Sequence, residues 1–90
     1  MSLYIAAYDI SITPKRNQVA RILRRHGRRI QRSVFEIWLE PEDLPELRRR
    51  IGPLLARTDS FDLVPVDLRR PECRFRWQRP PNNRQPVVLL

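Results

Sequence analysis

The sequence predicts an α+β fold in which two helices cover one face of an antiparallel sheet. Three observations carry that expectation. The unbroken apolar run Leu3–Tyr8 is too short for a helix and stops at a carboxylate, Asp9, as a strand in the middle of a sheet, buried on both faces, would. Two later stretches repeat apolar residues at helical spacing: Val19, Ile22 and Leu23, then Leu44, Leu47, Ile51, Leu54 and Leu55. Between and after them lie short runs rich in Ile, Val, Phe and Trp, the composition of strands.

In chain order, Thr13-Pro14 reads as a helix start, with Thr13 as N-cap and Pro14 at the first helical position. Gly27 reads as the C-terminal stop. Lys15, Arg16, Arg21, Arg24 and Arg25 give this first helix a cationic outer face. From Arg29 to Leu39 the chain reads as strand, either one long bulged strand or two short ones. Ile30, Val34 and Phe35 break strict alternation, so a bulge or break is expected near Arg32–Ser33. No Gly or Pro there marks a tight turn, and the pairing stays open.

Asp43 reads as the N-cap of the second helix, with Pro45 in its first turn and Glu46 answering three residues on. Gly52-Pro53 should kink or shorten that helix. Phe61–Leu68 alternates apolar and polar residues and reads as a strand, with Pro65 placing it near an edge or at a point where no ladder bond is needed. Cys73–Trp77 alternates again and reads as a short further strand. Gln78–Pro86 is rich in Pro and Asn and reads as an extended linker. The apolar end Val87–Leu90 is expected to add as a strand to a sheet edge, its own or a partner's. The order is that of a ferredoxin-like β-α-β-β-α-β sandwich with an extra C-terminal strand. The expected division is a domain over residues 1–78 and a C-terminal extension over 79–90 that pairs with the partner subunit's sheet.

Ninety residues bound one domain with a modest core, which dimerisation would assist. Eighteen Lys and Arg face ten Asp and Glu, a net charge of +8, and every cation but Lys15 is Arg. Guanidinium forks match phosphate oxygens, and a net positive field gathers polyanions, so nucleic acid is the first-choice partner. A GC-rich genome or heat adaptation would explain Arg over Lys better than it explains the excess of positive charge. The lone Cys73 allows neither an intrachain disulfide nor a Cys-based metal site, which fits a reducing cytoplasm. The N-terminus lacks a basic stretch before its apolar run and does not read as a signal peptide. No apolar run approaches membrane-spanning length, so no membrane partner is expected.

Two segments narrow the reading: Tyr8-Asp9-Ile10, with Arg16 following in the first helix, and the run from Gly27 to Glu36 that contains Gln31-Arg32-Ser33-Val34-Phe35. Together they resemble the signature of the CRISPR-associated protein two family, over roughly residues 3–68. The second segment is the more specific. The resemblance implies a homodimer whose last strand crosses onto the other subunit's sheet. It implies metal-dependent endonuclease activity on RNA or double-stranded DNA, with magnesium or manganese as cofactor. It also implies service as the central, non-catalytic body of the spacer-capturing complex, beside the CRISPR integrase subunit. It places the family's metal-binding Asp at Asp9, its neighbouring Tyr at Tyr8 and its helix-one Arg at Arg16. Its Gln-x-Ser-x-Phe positions fall on Gln31, Ser33 and Phe35, and the Arg before the Ile-Gln pair is Arg29. A second helix-one Arg found in some members is Gln18 here, which removes that side chain's chemistry.

Each of these residues also has a plainer reading. Asp9 could cap the Ile10–Thr13 turn, although one carboxylate from each of two copies would suffice for a hydrated magnesium ion. Arg16, Arg29 and Arg32 could orient a phosphate or act only through general attraction. Arg24, Arg25 and Arg28 read as a cluster of duplex-backbone contacts at the end of the first helix, where Arg also complements the helix dipole. Arg48, Arg49 and Arg50 run around a helix and read as solvated surface. Tyr8 and Phe35 read as core aromatics as readily as base-stacking ones, and Trp38 as core. Ser33 has no neighbouring base, and His26 reads as a helix-end group. Two rival functions stand beside the nuclease: a purely architectural DNA-binding subunit, and a toxin-like or regulatory RNA-binding domain. The second would display sheet aromatics that are scarce here.

Overall fold

Alternation along the first strand organises the molecule. The structure, a computed structural model, describes residues 1–69. The elements are β1 (Ser2–Asp9), α1 (Thr13–Arg24), β2 (Gly27–Gln31), β3 (Val34–Leu39), α2 (Asp43–Ile51), a 3₁₀ turn (Gly52–Leu54) and β4 (Ser60–Pro65). The strands form one antiparallel sheet in the order β2-β3-β1-β4. This is the expected ferredoxin-like topology. The expected strand at Cys73–Trp77, the linker and the C-terminal strand lie outside the described residues.

Successive β1 side chains point to opposite faces. Tyr4, Ala6 and Tyr8 share a face with their register partners Ile37, Phe35 and Phe61. Val19 and Leu23 of α1 and Leu47 and Ile51 of α2 close over this face in one core cluster. Phe35, Leu23, Ile37 and Val19 are fully buried. The other face carries Leu3, Ile5, Ala7 and Asp9 from β1, Val34, Glu36 and Trp38 from β3, and Asp62 and Val64 from β4. Neither helix lies over it. Ile5 and Ala7 are therefore half-buried rather than sealed, and Trp38, expected in the core, is 40% exposed.

The segment from Arg29 to Leu39 resolves into two strands joined by a two-residue turn at Arg32-Ser33, with a register slip at Ile30. The slip accounts for the broken alternation. Other boundaries differ from expectation for local reasons. Thr13 is the first residue of α1 and Ile12 its N-cap, with no side-chain cap; the Thr13 hydroxyl instead accepts a bond from Arg16 Nη2 at 3.0 Å. In α2 the N-cap is Glu42. The Asp43 carboxylate reaches back to accept from the Glu40 N–H at 2.8 Å, and Glu46 pairs with Arg49 rather than closing a capping box. Gly27 does not stop α1, which ends at Arg24 with Arg25 as C-cap. It opens β2, where a Cβ would collide with the Glu36 carbonyl oxygen and approach the Ile37 Cα to 2.7 Å. β4 stops at Pro65 rather than Leu68; Pro65 stands where no ladder bond is needed, since the Val66 N–H beyond it donates to the Leu3 carbonyl at 3.0 Å.

Candidate functional site

Asp9 ends β1 with its side chain exposed on the open sheet face, opposite Ser60 of β4. Three segments converge on this end of the sheet. The β2–β3 turn is joined to β1 by the Tyr8 N–H donating to the Ser33 carbonyl at 3.0 Å, so Arg32 and Ser33 flank Asp9's strand end. From α1, Arg16 Nη1 donates to the Ile10 carbonyl at 3.2 Å. From the loop before β4, Asp59 Oδ1 accepts both the Ser11 N–H and the Ser11 hydroxyl at 3.1 Å, while Oδ2 accepts the Ala56 N–H at 2.8 Å. The Ala56 N–H, then the Ser11 N–H, and more weakly the Lys15 charge, hold the Asp59 carboxyl below its ordinary value.

The residues named from sequence divide by face and by end. Tyr8 adjoins Asp9 in the chain but points the other way, into the core. Its ring stacks with Phe35 and with Phe61, centroids 6.3 Å apart in each case, and its hydroxyl is buried without a hydrogen-bond partner. Phe35 has no exposed surface. Arg29 lies on that same side, its guanidinium 5.3 Å from the Phe35 ring centre, a cation–π contact. Arg16 and Arg32 are thus at the Asp9 end. Arg24 and Arg25 are exposed at the opposite end of α1, about 18 Å away along a helix of this length. Arg28 does not join them. It stands on the open sheet face opposite Glu36, with its Nε 3.4 Å from the nearly buried Glu36 carboxylate.

The donor set at Asp9 limits the metal. Among the described residues no group of three or more His, Cys, Asp or Glu could hold an ion. Asp62 lies on the same face, one pleat from Ser60. A single exposed carboxylate fits a largely hydrated magnesium or manganese ion, which needs only one or two protein carboxylates. It does not fit a closed zinc-type cage. Sequence reasoning passed over Asp59, Ser11 and Glu36. Thr58-Asp59-Ser60 carried a turn signature, but its partner 48 positions away in the chain was not readable.

The family model for CRISPR associated protein Cas2 matches residues 1–72. The chain belongs to the Cas2 family. A Thermus thermophilus relative named CRISPR-associated endonuclease Cas2 2 is 42% identical over 65 residues, covering 71% of this chain and 72% of its own. A Synechocystis relative named CRISPR-associated endoribonuclease Cas2 3 is 32% identical over 100% of this chain and 99% of its own. Among solved structures, Streptococcus pyogenes Cas2 superposes with a TM-score of 0.68 at 22% identity, covering 72% of this chain and 86% of that one. At that identity it attests the Cas2 fold alone. No helix of the described residues is long and apolar enough to cross a membrane.

Proposed function

We propose that this Cas2-family chain acts as a homodimeric, metal-dependent endonuclease on RNA or duplex DNA and as a nucleic-acid-binding subunit of a spacer-acquisition complex. One observation carries the reading. The β1 row Leu3, Ile5, Ala7 ends in Asp9 on an open, largely apolar sheet face. A second copy packed on that face would cover Ile5, Trp38 and Val64 and would supply a second Asp9.

In this arrangement Asp9 of each copy holds the divalent ion. The chemistry supplied by bound magnesium or manganese is polarisation of a phosphoryl oxygen and a lowered pKa of water. Arg16 holds the Ile10 carbonyl and so fixes the loop after Asp9. Arg32, exposed in the adjoining turn, attracts the phosphate. Arg24 and Arg25 contact the duplex backbone farther out. Tyr8 and Phe35 act through packing. The names of the nuclease relatives support the activity. Support for an integrase partner comes from a chain of the same fold, TM-score 0.68 at 21% identity, in a partial Cas6-RT-Cas1–Cas2 complex.

A second reading, architectural DNA binding without cleavage, is favoured by the burial of Tyr8 and Phe35, which keeps both motif aromatics out of reach of a substrate at Asp9. Cleavage of labelled RNA and duplex DNA with magnesium, manganese or chelator separates the two. The nuclease reading expects metal-dependent cutting that disappears in a still-dimeric Asp9→Ala. Absent cutting, or equal cutting by both proteins, leaves the architectural reading.

A further inference from the structure

The loop after Asp9 is held from two sides, and only one holder lies nearby in the chain. Arg16 grips the Ile10 carbonyl from the first turns of α1. The other holder, Asp59, comes from the loop before β4, and both of its oxygens are used. Oδ1 takes two bonds from Ser11, two residues beyond Asp9, and Oδ2 takes the Ala56 N–H. The next residue, Ser60, is the register partner of Asp9. The Asp9–Ser60 pair and the Ser11–Asp59 clasp are therefore consecutive cross-links between the same two segments.

A strand end frays unless its last rung is backed by further bonds. Asp9 sits on that last rung with an exposed side chain. Rigid second-layer hydrogen bonds are what keep a ligating carboxylate in place. The acceptor demand also explains the residue type. Asn offers one side-chain carbonyl oxygen and an NH₂ that cannot accept, so it could serve Ser11 or Ala56 but not both. The low carboxyl pKa of Asp59 is the expected consequence of three donors facing one group.

We infer that Asp59 is a positioning residue that acts through Ser11 to hold the Asp9 carboxylate in its ion-binding orientation. The inference rests on the proposed metal role of Asp9. It is tested by manganese affinity, read from water-proton relaxation on the full-length dimer well below its melting temperature. Wild type is compared with Asp9→Ala, Asp59→Ala, Asp59→Asn and Ser11→Ala. The core variant Leu39→Val, at the far end of the sheet, controls for lost stability.

The expected result is loss of manganese binding in Asp9→Ala and a drop of about tenfold in Asp59→Ala. Asp59→Asn and Ser11→Ala should fall between wild type and Asp59→Ala, and Leu39→Val should bind as wild type does. If Asp9→Ala loses binding while Asp59→Ala keeps wild-type affinity, the positioning role is overturned and the Asp9 site stands. Equal loss in Leu39→Val would also overturn it, by reducing Asp59 to general stability. If Asp9→Ala binds manganese like wild type, the Asp9 reading fails and takes the positioning role with it.

Discussion

Tyr8 and Asp9 are neighbours in the chain and opposites in the structure. Tyr8 is sealed between Phe35 and Phe61 under the helices, whereas Asp9 is exposed on the open face. The same division runs across the sheet, with Phe35 against Glu36 and Leu63 against Val64. A motif that spans a strand therefore holds two kinds of residue. One set builds the platform and the other stands on it, and position in the motif does not tell them apart until the pleat is applied.

The sharpest test of that division is stability. Phe35→Ala should destabilise the protein by about 3–5 kcal/mol, read from urea unfolding. Asp9→Ala should stay within about 0.5 kcal/mol of wild type, as an exposed substitution does. Comparable losses in the two variants would break the comparison. Tyr8→Phe probes it from the buried side. Its hydroxyl is buried without a partner, so removing it should raise stability by about 1 kcal/mol and leave cleavage within about twofold. A fall of about tenfold in cleavage with an intact fold would place Tyr8 among the groups that touch substrate.

Arg24 and Arg25 at the end of α1, set against Arg28 in β2, offer a milder contrast. Arg24→Ala and Arg25→Ala should each weaken duplex binding about equally for all sequences and reduce the salt slope by about 1. Arg28→Ala, whose guanidinium faces Glu36, should leave that slope unchanged. A fall with Arg28→Ala and none with the other two would reverse the assignment.

The smallest effect concerns pH. Asp59 is held below its ordinary value of 3.8, first by the Ala56 N–H and then by Ser11. A carboxyl depressed in the folded state stabilises above its unfolded value, and that contribution is lost as pH falls through the folded value. Thermal melts from about pH 5 downward should therefore show wild type losing more stability on acidification than Asp59→Asn. Parallel curves would indicate that the clasp forms equally well with a neutral group.

Much of this was legible in the residues. The apolar run to Tyr8, the two helical stripes and Pro65 at an edge all describe local burial, and local burial leaves a period in the sequence. The break at Arg32-Ser33 was visible only as disturbed alternation, because a two-residue turn without Gly or Pro has no residue signature. The capping assignments at Thr13 and Asp43 missed by a residue, since both side chains found other partners, Arg16 and the Glu40 N–H. Gly27 looked like a helix stop, yet its constraint is the close passage of β3, a contact between segments. Trp38 looked like core because nothing in a sequence says which apolar face a single chain leaves open.

The sequence by itself determined the element order, the basic character and the family, because these depend on residue types and short spacings. Only the tertiary structure decided that Arg28 belongs with Glu36 rather than with Arg24 and Arg25. It also decided that Asp59 reaches the loop beside Asp9. The physical reason is common to both. Strand pairing and loop closure bring together groups far apart in the chain, and the contacts formed there have no period to read.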